Sequence, residues 1–110
     1  MKVNLTQKLI IQPDNKLLTD QEGNYIALID VLATNTYQNA ISKNKNEQNL
    51  FNRLFDFIHN TIKTENYRTE EKEFVIDVNE LQSLERWIFE GNLHSFISRA
   101  VINALNNPVQ

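Results

Sequence analysis

The chain has 110 residues, 41% hydrophobic and 23% charged, with a formal charge of −3 and no cysteine. That length suits one domain with a single modest core, and the missing cysteines remove disulfides, thiolate metal sites and cysteine nucleophiles together. With 11 Lys+Arg against 14 Asp+Glu, a free nucleic-acid binder is disfavoured, because phosphate contacts supply most of such a protein's affinity.

The longest basic cluster is Lys43-Asn44-Lys45, so a basic protein partner fits the charge better than a nucleic acid. No apolar run approaches the roughly 18–20 residues of a membrane span. MKVNLTQKLIIQPDN has no continuous apolar core and no small-residue cleavage site, so the expected compartment is the cytoplasm.

Taken in order, Lys2 to Ile11 reads as one strand, with Val3, Leu5, Leu9 and Ile11 on one face, Thr6 on the other, and Gln7 interrupting the apolar row. Gln12-Pro13-Asp14-Asn15 is a turn, and Lys16 to Thr19 returns as a second strand to make a hairpin. Asp20 to Asn24 turns again, with positive φ expected at Gly23, and Tyr25-Ile26 makes a third, very short strand.

The period then changes. Ile29, Leu32, Ala33, Tyr37, Ala40 and Ile41 recur at helical spacing over 27–41, and SKNKN follows as a polar loop. Glu47 to Ile62 is the clearest amphipathic helix, with an apolar face of Leu50, Phe51, Leu54, Phe55, Phe57, Ile58 and Ile62. Lys63 to Lys72 is a charged connector that no core would accept.

The closing unit, Phe74 to Leu105, organises the rest. A strand over Glu73–Ile76 leads to Asp77, which caps a helix over Val78–Glu90 with Glu80 as its capping-box partner and Ile76 and Leu81 as a hydrophobic staple. Gly91 ends that helix in the left-handed conformation, Asn92 caps the next, and the last helix runs over Leu93–Asn106, before Pro108.

Chemistry is hard to place. After Gly23 the position of a bidentate calcium ligand is Ile29, so the loop fails as a calcium site. His59 and His94 lie on different helices with no His or Cys beside them, so a metal site would need Asp or Glu partners brought together by the fold, and a solvent-facing or capping histidine is expected for each. Ser83, Ser95 and Ser98 sit inside helices, away from the elbow that exposes a nucleophile. Two glycines cannot build a phosphate loop or a dinucleotide fingerprint. Glu80 is taken by its cap, while Glu85 and Glu90 do not share a helix face and read as solvated. Trp87, Phe89 and Phe96 read as core. The last two helices have helix-turn-helix spacing, with His94, Arg99 and Asn103 as the outward residues of a recognition helix.

The N-terminal pattern Met1-Lys2-Val3-Asn4-Leu5, Gln7 and Leu9, then Asp14, Leu17, Asp20, Gly23, and Leu28 with Asp30-Val31, resembles a group of small uncharacterised proteins of tailed phages and prophages. Those proteins carry an N-terminal hairpin on Asp/Gly turns and end with an acidic-capped helix followed by another, much as Val75–Leu105 does here; this chain departs where Pro13-Asp14-Asn15 replaces the usual Asp-Gly and Ala27 the usual Thr cap. The resemblance implies phage ancestry, hence the host cytoplasm, and transfers no functional residue.

The expected fold is α+β, one domain over 1–110. An antiparallel hairpin or meander over 1–26 and a strand near 73–76 pack with about four helices, two of them over 27–62 and the others in a strand-helix-helix unit over 73–107. The expected function is a non-enzymatic phage-type accessory protein acting by protein–protein contact, with no cofactor, metal or membrane. Self-association through the edge of the first strand is the form considered first. The alternative is a nucleic-acid-associated regulator using the C-terminal helix pair.

Overall fold

The computed structural model of the chain describes residues 1–11 and 14–106. The expected turn at Gln12-Pro13 and the chain from 107 onward, with Pro108, lie outside them. The architecture is α+β: two small antiparallel sheets and four helical rods.

The first apolar row does not form one strand. It divides into β1 (Lys2–Asn4) and β2 (Ile10–Ile11), which belong to different sheets. The break is chemical. Asn4 Oδ1 accepts the Thr6 N–H at 3.1 Å, an Asx-type turn that redirects the chain. Thr6, expected on the solvent face, is buried, and its hydroxyl lies within hydrogen-bonding reach of both Asn4 Oδ1 and the Glu70 carbonyl, which share its one proton. Val3, Leu5 and Leu9 are buried as the alternation requires. β2 pairs with β3 (Lys16–Leu17), and isolated bridges join Lys8 to Ala27 and Thr19 to Tyr25. Gly23 has φ +86° in its turn.

The first rod starts as α1 (Leu28–Val31), widens into a π-helical stretch at Leu32–Thr36 and closes as α2 (Tyr37–Asn39). The polar run that interrupts the apolar period explains the widening: Thr34 Oγ1 bonds back to the Asp30 carbonyl at 2.9 Å and Asn39 Nδ2 to the Asn35 carbonyl at 2.9 Å. The second rod, α3 (Lys45–Ile62), begins two residues before the expected start at Glu47, because Asn44 Oδ1 accepts the Glu47 N–H at 3.0 Å. Its buried stripe is narrower than the sequence suggests: Leu50, Leu54 and Ile58 are fully covered, while Ile62 is partly exposed.

The closing unit forms β4 (Glu73–Val75), α4 (Val78–Glu90) and α5 (Ser95–Leu105). Asp77 Oδ1 accepts the Glu80 N–H at 2.7 Å, and Glu80 Oε1 accepts the Asp77 N–H at 3.1 Å. Both halves of the capping box are made. Ile76 and Leu81 are both buried.

Two expectations at the α4–α5 junction are overturned. Gly91 is extended, φ −74° and ψ 161°, and not left-handed. It is glycine for room: a Cβ there would run into Asn35 Oδ1 and lie 3.3 Å from the Ile88 carbonyl oxygen. α5 is capped by His94 Nδ1, which accepts the Phe96 N–H at 3.2 Å, so Asn92 is not the cap and the helix starts at Ser95.

Candidate binding site at the edge of the small sheet

The sheet formed by β1 and β4 follows from a short ladder. The Met1 amino group donates to the Ile76 carbonyl at 2.9 Å, and the Ile76 N–H returns to the Met1 carbonyl at 2.9 Å. Antiparallel pairs alternate, so with Val3 opposite Phe74 the next bonded pair is theirs, followed by the Leu5 N–H to the Lys72 carbonyl at 2.9 Å. The main-chain groups of Glu73 and Val75 therefore point away from β1. β4 therefore presents an outer edge, and the long exposed edge expected on Lys2–Ile11 is reduced to the three residues of β1. That segment instead spends the Leu9 N–H on Ile26 and the Gln7 and Leu5 carbonyls on Leu28 and Ile29.

One side chain guards the edge. Arg53 reaches from α3 to donate through Nη2 to the Val75 carbonyl at 3.0 Å, the only partner of the outward groups among the described residues. Its Nη1 lies 2.6 Å from Glu80 Oε2, and its guanidinium stands over the Phe74 ring, 5.4 Å from the centroid. Glu80 thus holds both the start of α4 and the Arg53 side chain. Beside the edge lies a groove of about 710 Å³, floored by Met1, Phe57, Phe74 and Ile76 and flanked by Arg53, Asp56, Glu73, Asp77 and Glu80. Phe57 meets Phe74 edge-to-face at 5.3 Å, which fixes α3 against the sheet. Val75 is 61% exposed.

A second cluster pins the connector that the sequence reading consigned wholly to solvent. Asp30 Oδ1 accepts the Tyr67 hydroxyl at 2.6 Å and Arg68 Nη2 at 2.9 Å, while Oδ2 accepts Arg68 Nε and the Ala27 N–H, each at 2.9 Å. Asp30 thereby supplies the N3 half of a capping box, while Ala27, having no side-chain acceptor, leaves the other half unmade. Burial opposes its charge, yet the bonds from Arg68, Tyr67 and Ala27 outweigh burial and hold the carboxyl below its usual range. Burial, then the bond to Asp30, push the Tyr67 phenol up to about 12. With its acceptor positions filled, Asp30 is a fastening, not a general base.

The residues considered for chemistry are dispersed. Ser83 Oγ donates to Glu47 Oε2 at 3.1 Å, and Glu47 Oε1 lies 2.6 Å from Arg86 Nη2. Glu85 is not simply solvated: its Oε1 accepts Asn106 Nδ2 at 2.7 Å. His59 is exposed and stacks on Phe55. Among the described residues no group of three His, Cys, Asp or Glu side chains is placed to hold a metal, and no helix is long and apolar enough to cross a membrane.

Trp87 is core, its indole N–H donating to the Ile41 carbonyl at 3.1 Å, but Phe89 is 79% exposed and Phe96 is also outward. The buried stripe of α4 is Leu81, Leu84, Trp87 and Ile88, which turns Phe89 to the far side. Phe89 lines a groove of about 460 Å³ with Leu93, Ser95, Ser98, Arg99, Ile102 and Asn103. This helix pair brings Arg99 and Asn103 together, while His94 is spent on its cap.

Sequence reasoning missed Arg53 and Asp30. The signal for Arg53 was its place between Leu50 and Phe57 on the flank of the apolar face; that for Asp30 was an acid three residues after an uncapped Ala27. Comparison with protein-family models, curated protein sequences and solved structures finds no match to this chain.

Proposed function

We propose that the protein is a non-enzymatic binding module that takes up an extended segment of a protein partner as an added strand on the β4 edge. The observation that carries the reading is the outward-facing main chain of Glu73 and Val75, met among the described residues only by Arg53, beside an apolar-floored groove. Strand addition draws affinity from such unpaired N–H and C=O groups and specificity from alternate side chains. Three paired residues are few, so the groove must supply much of the contact. The N-terminal resemblance supports a phage-type accessory role in the host cytoplasm, which genomic neighbours test. A nucleic-acid role through α4 and α5 has less support, since Arg99 is the sole basic side chain lining that groove.

The test is selection of binders from a random linear peptide library, followed by amide chemical-shift mapping. Selected peptides are expected to move the Glu73 and Val75 amides and to lose binding on Val75→Pro. Shifts confined to Phe89–Asn103 would contradict the reading.

A further inference from the structure

We infer that the segment taken up at the β4 edge is an extended basic stretch of another protein, which enters by displacing Arg53. The inference rests on the strand-addition reading and names its ligand class. Four carboxylates flank the groove, from Asp56, Glu73, Asp77 and Glu80, and Arg53 is the only cationic side chain among its lining residues. Arg53 is half exposed and holds Glu80 from the solvent side, so its ion pair is a weak clasp. Asp56 has no partner among the described residues, and Glu73 has only Lys2, at 3.8 Å and largely solvated.

Arg53 occupies the Val75 carbonyl, the acceptor that an added strand needs for its own N–H. An incoming lysine or arginine can replace the Arg53 charge beside Glu80 while the incoming main chain replaces its hydrogen bond. Lysines opposite Glu73 add cross-strand pairs of opposite sign, and apolar residues between them fall on the floor of Phe57, Phe74 and Met1. The same carboxylates repel phosphate. They also disfavour a second copy, because a two-fold pairing of β4 edges brings two like acidic flanks together.

The full chain is titrated with a short peptide alternating lysine and valine and with its glutamate–valine counterpart, read by fluorescence anisotropy and amide shifts. The basic peptide is expected to bind at least about tenfold more tightly and to weaken as salt rises. Asp56→Lys with Glu73→Lys, both exposed and outside the helix cap, is expected to invert the preference. Arg53→Ala is expected to tighten binding of the basic peptide. Val75→Pro removes an N–H that the fold does not use and is expected to abolish binding; a melt checks its fold, and slowed exchange of the wild-type Val75 amide is the second readout.

Equal binding of both peptides, blocked by Val75→Pro, would overturn the basic ligand and leave strand addition standing. Charge-selective binding without change at Val75 would overturn both, as would no binding of either peptide. A dimer that Val75→Pro dissolves would make the occupant a second copy and overturn the inference.

Discussion

Replacing Asp30 with alanine is expected to cost more than replacing either of its side-chain partners, Arg68 or Tyr67. The Asp30 side chain is 17% exposed and Arg68 is 52% exposed, so the forked ion pair itself contributes about 0–1 kcal/mol. The larger share lies in the charged hydrogen bonds to the Tyr67 hydroxyl and the Ala27 N–H, for which bonds to ionised groups are typically worth about 1.5–3 kcal/mol each before relaxation. Allowing water to reach the half-buried Tyr67, the expected loss is about 2–4 kcal/mol, and for a domain of this size a Tm lower by roughly 8–16 °C. Arg68→Ala is expected to cost about 1 kcal/mol or less, and Tyr67→Phe about 1–2 kcal/mol. Denaturant melts of the three variants decide the order. If Asp30→Ala costs no more than Arg68→Ala, the carboxylate is only a surface ion partner and the connector is not pinned as described.

Three further predictions follow from the same geometry. Asp77→Ala removes half the capping box and is expected to cost about 0.5–2 kcal/mol, while loosening Arg53 through Glu80; a melt and the Arg53 side-chain NMR signals check the two effects. Gly91→Ala is expected to cost about 1–3 kcal/mol by overpacking against Asn35, with part of that loss recovered in the Asn35→Ala background. A cost independent of residue 35 would return the explanation to backbone conformation. Asp30 has a folded pKa below its unfolded value near 3.8, so its stabilisation is present above that value and is lost as pH falls through the lower folded one. Tyr67 has the opposite sign: its contribution is present below pH 10 and lost as pH rises toward about 12. Melts of wild type and Asp30→Ala should therefore converge in acid.

Much of the fold was legible because local chemistry set it. Asp77 and Glu80 identify a helix start by side-chain reach alone, and Gly23 identifies a turn. What misled was chemistry that acts across the chain. Asn4 turns the first apolar row by capturing the amide of Thr6, and periodicity cannot register a turn made inside an alternating run. Gly91 resembled a left-handed stop, since a glycine after a helix reads the same whether it supplies positive φ or clearance for Asn35 on another rod. Arg53 and Glu80 are 27 residues apart, so their clasp over the β4 edge depends on packing. Phe89 was assigned to the core by hydrophobicity, whereas the stripe through Leu84, Trp87 and Ile88 leaves it outside.

Hydrogen exchange at the β4 amides tests the binding surface most directly. In the free protein the Phe74 amide, paired with Val3, should exchange slowly, while the Glu73 and Val75 amides exchange quickly. Saturation with the lysine–valine peptide should slow Glu73 and Val75 and leave the α4–α5 junction unchanged. Protection of the Val75 amide in the dilute free protein, or peptide-induced protection confined to Phe89–Leu93, would contradict the account.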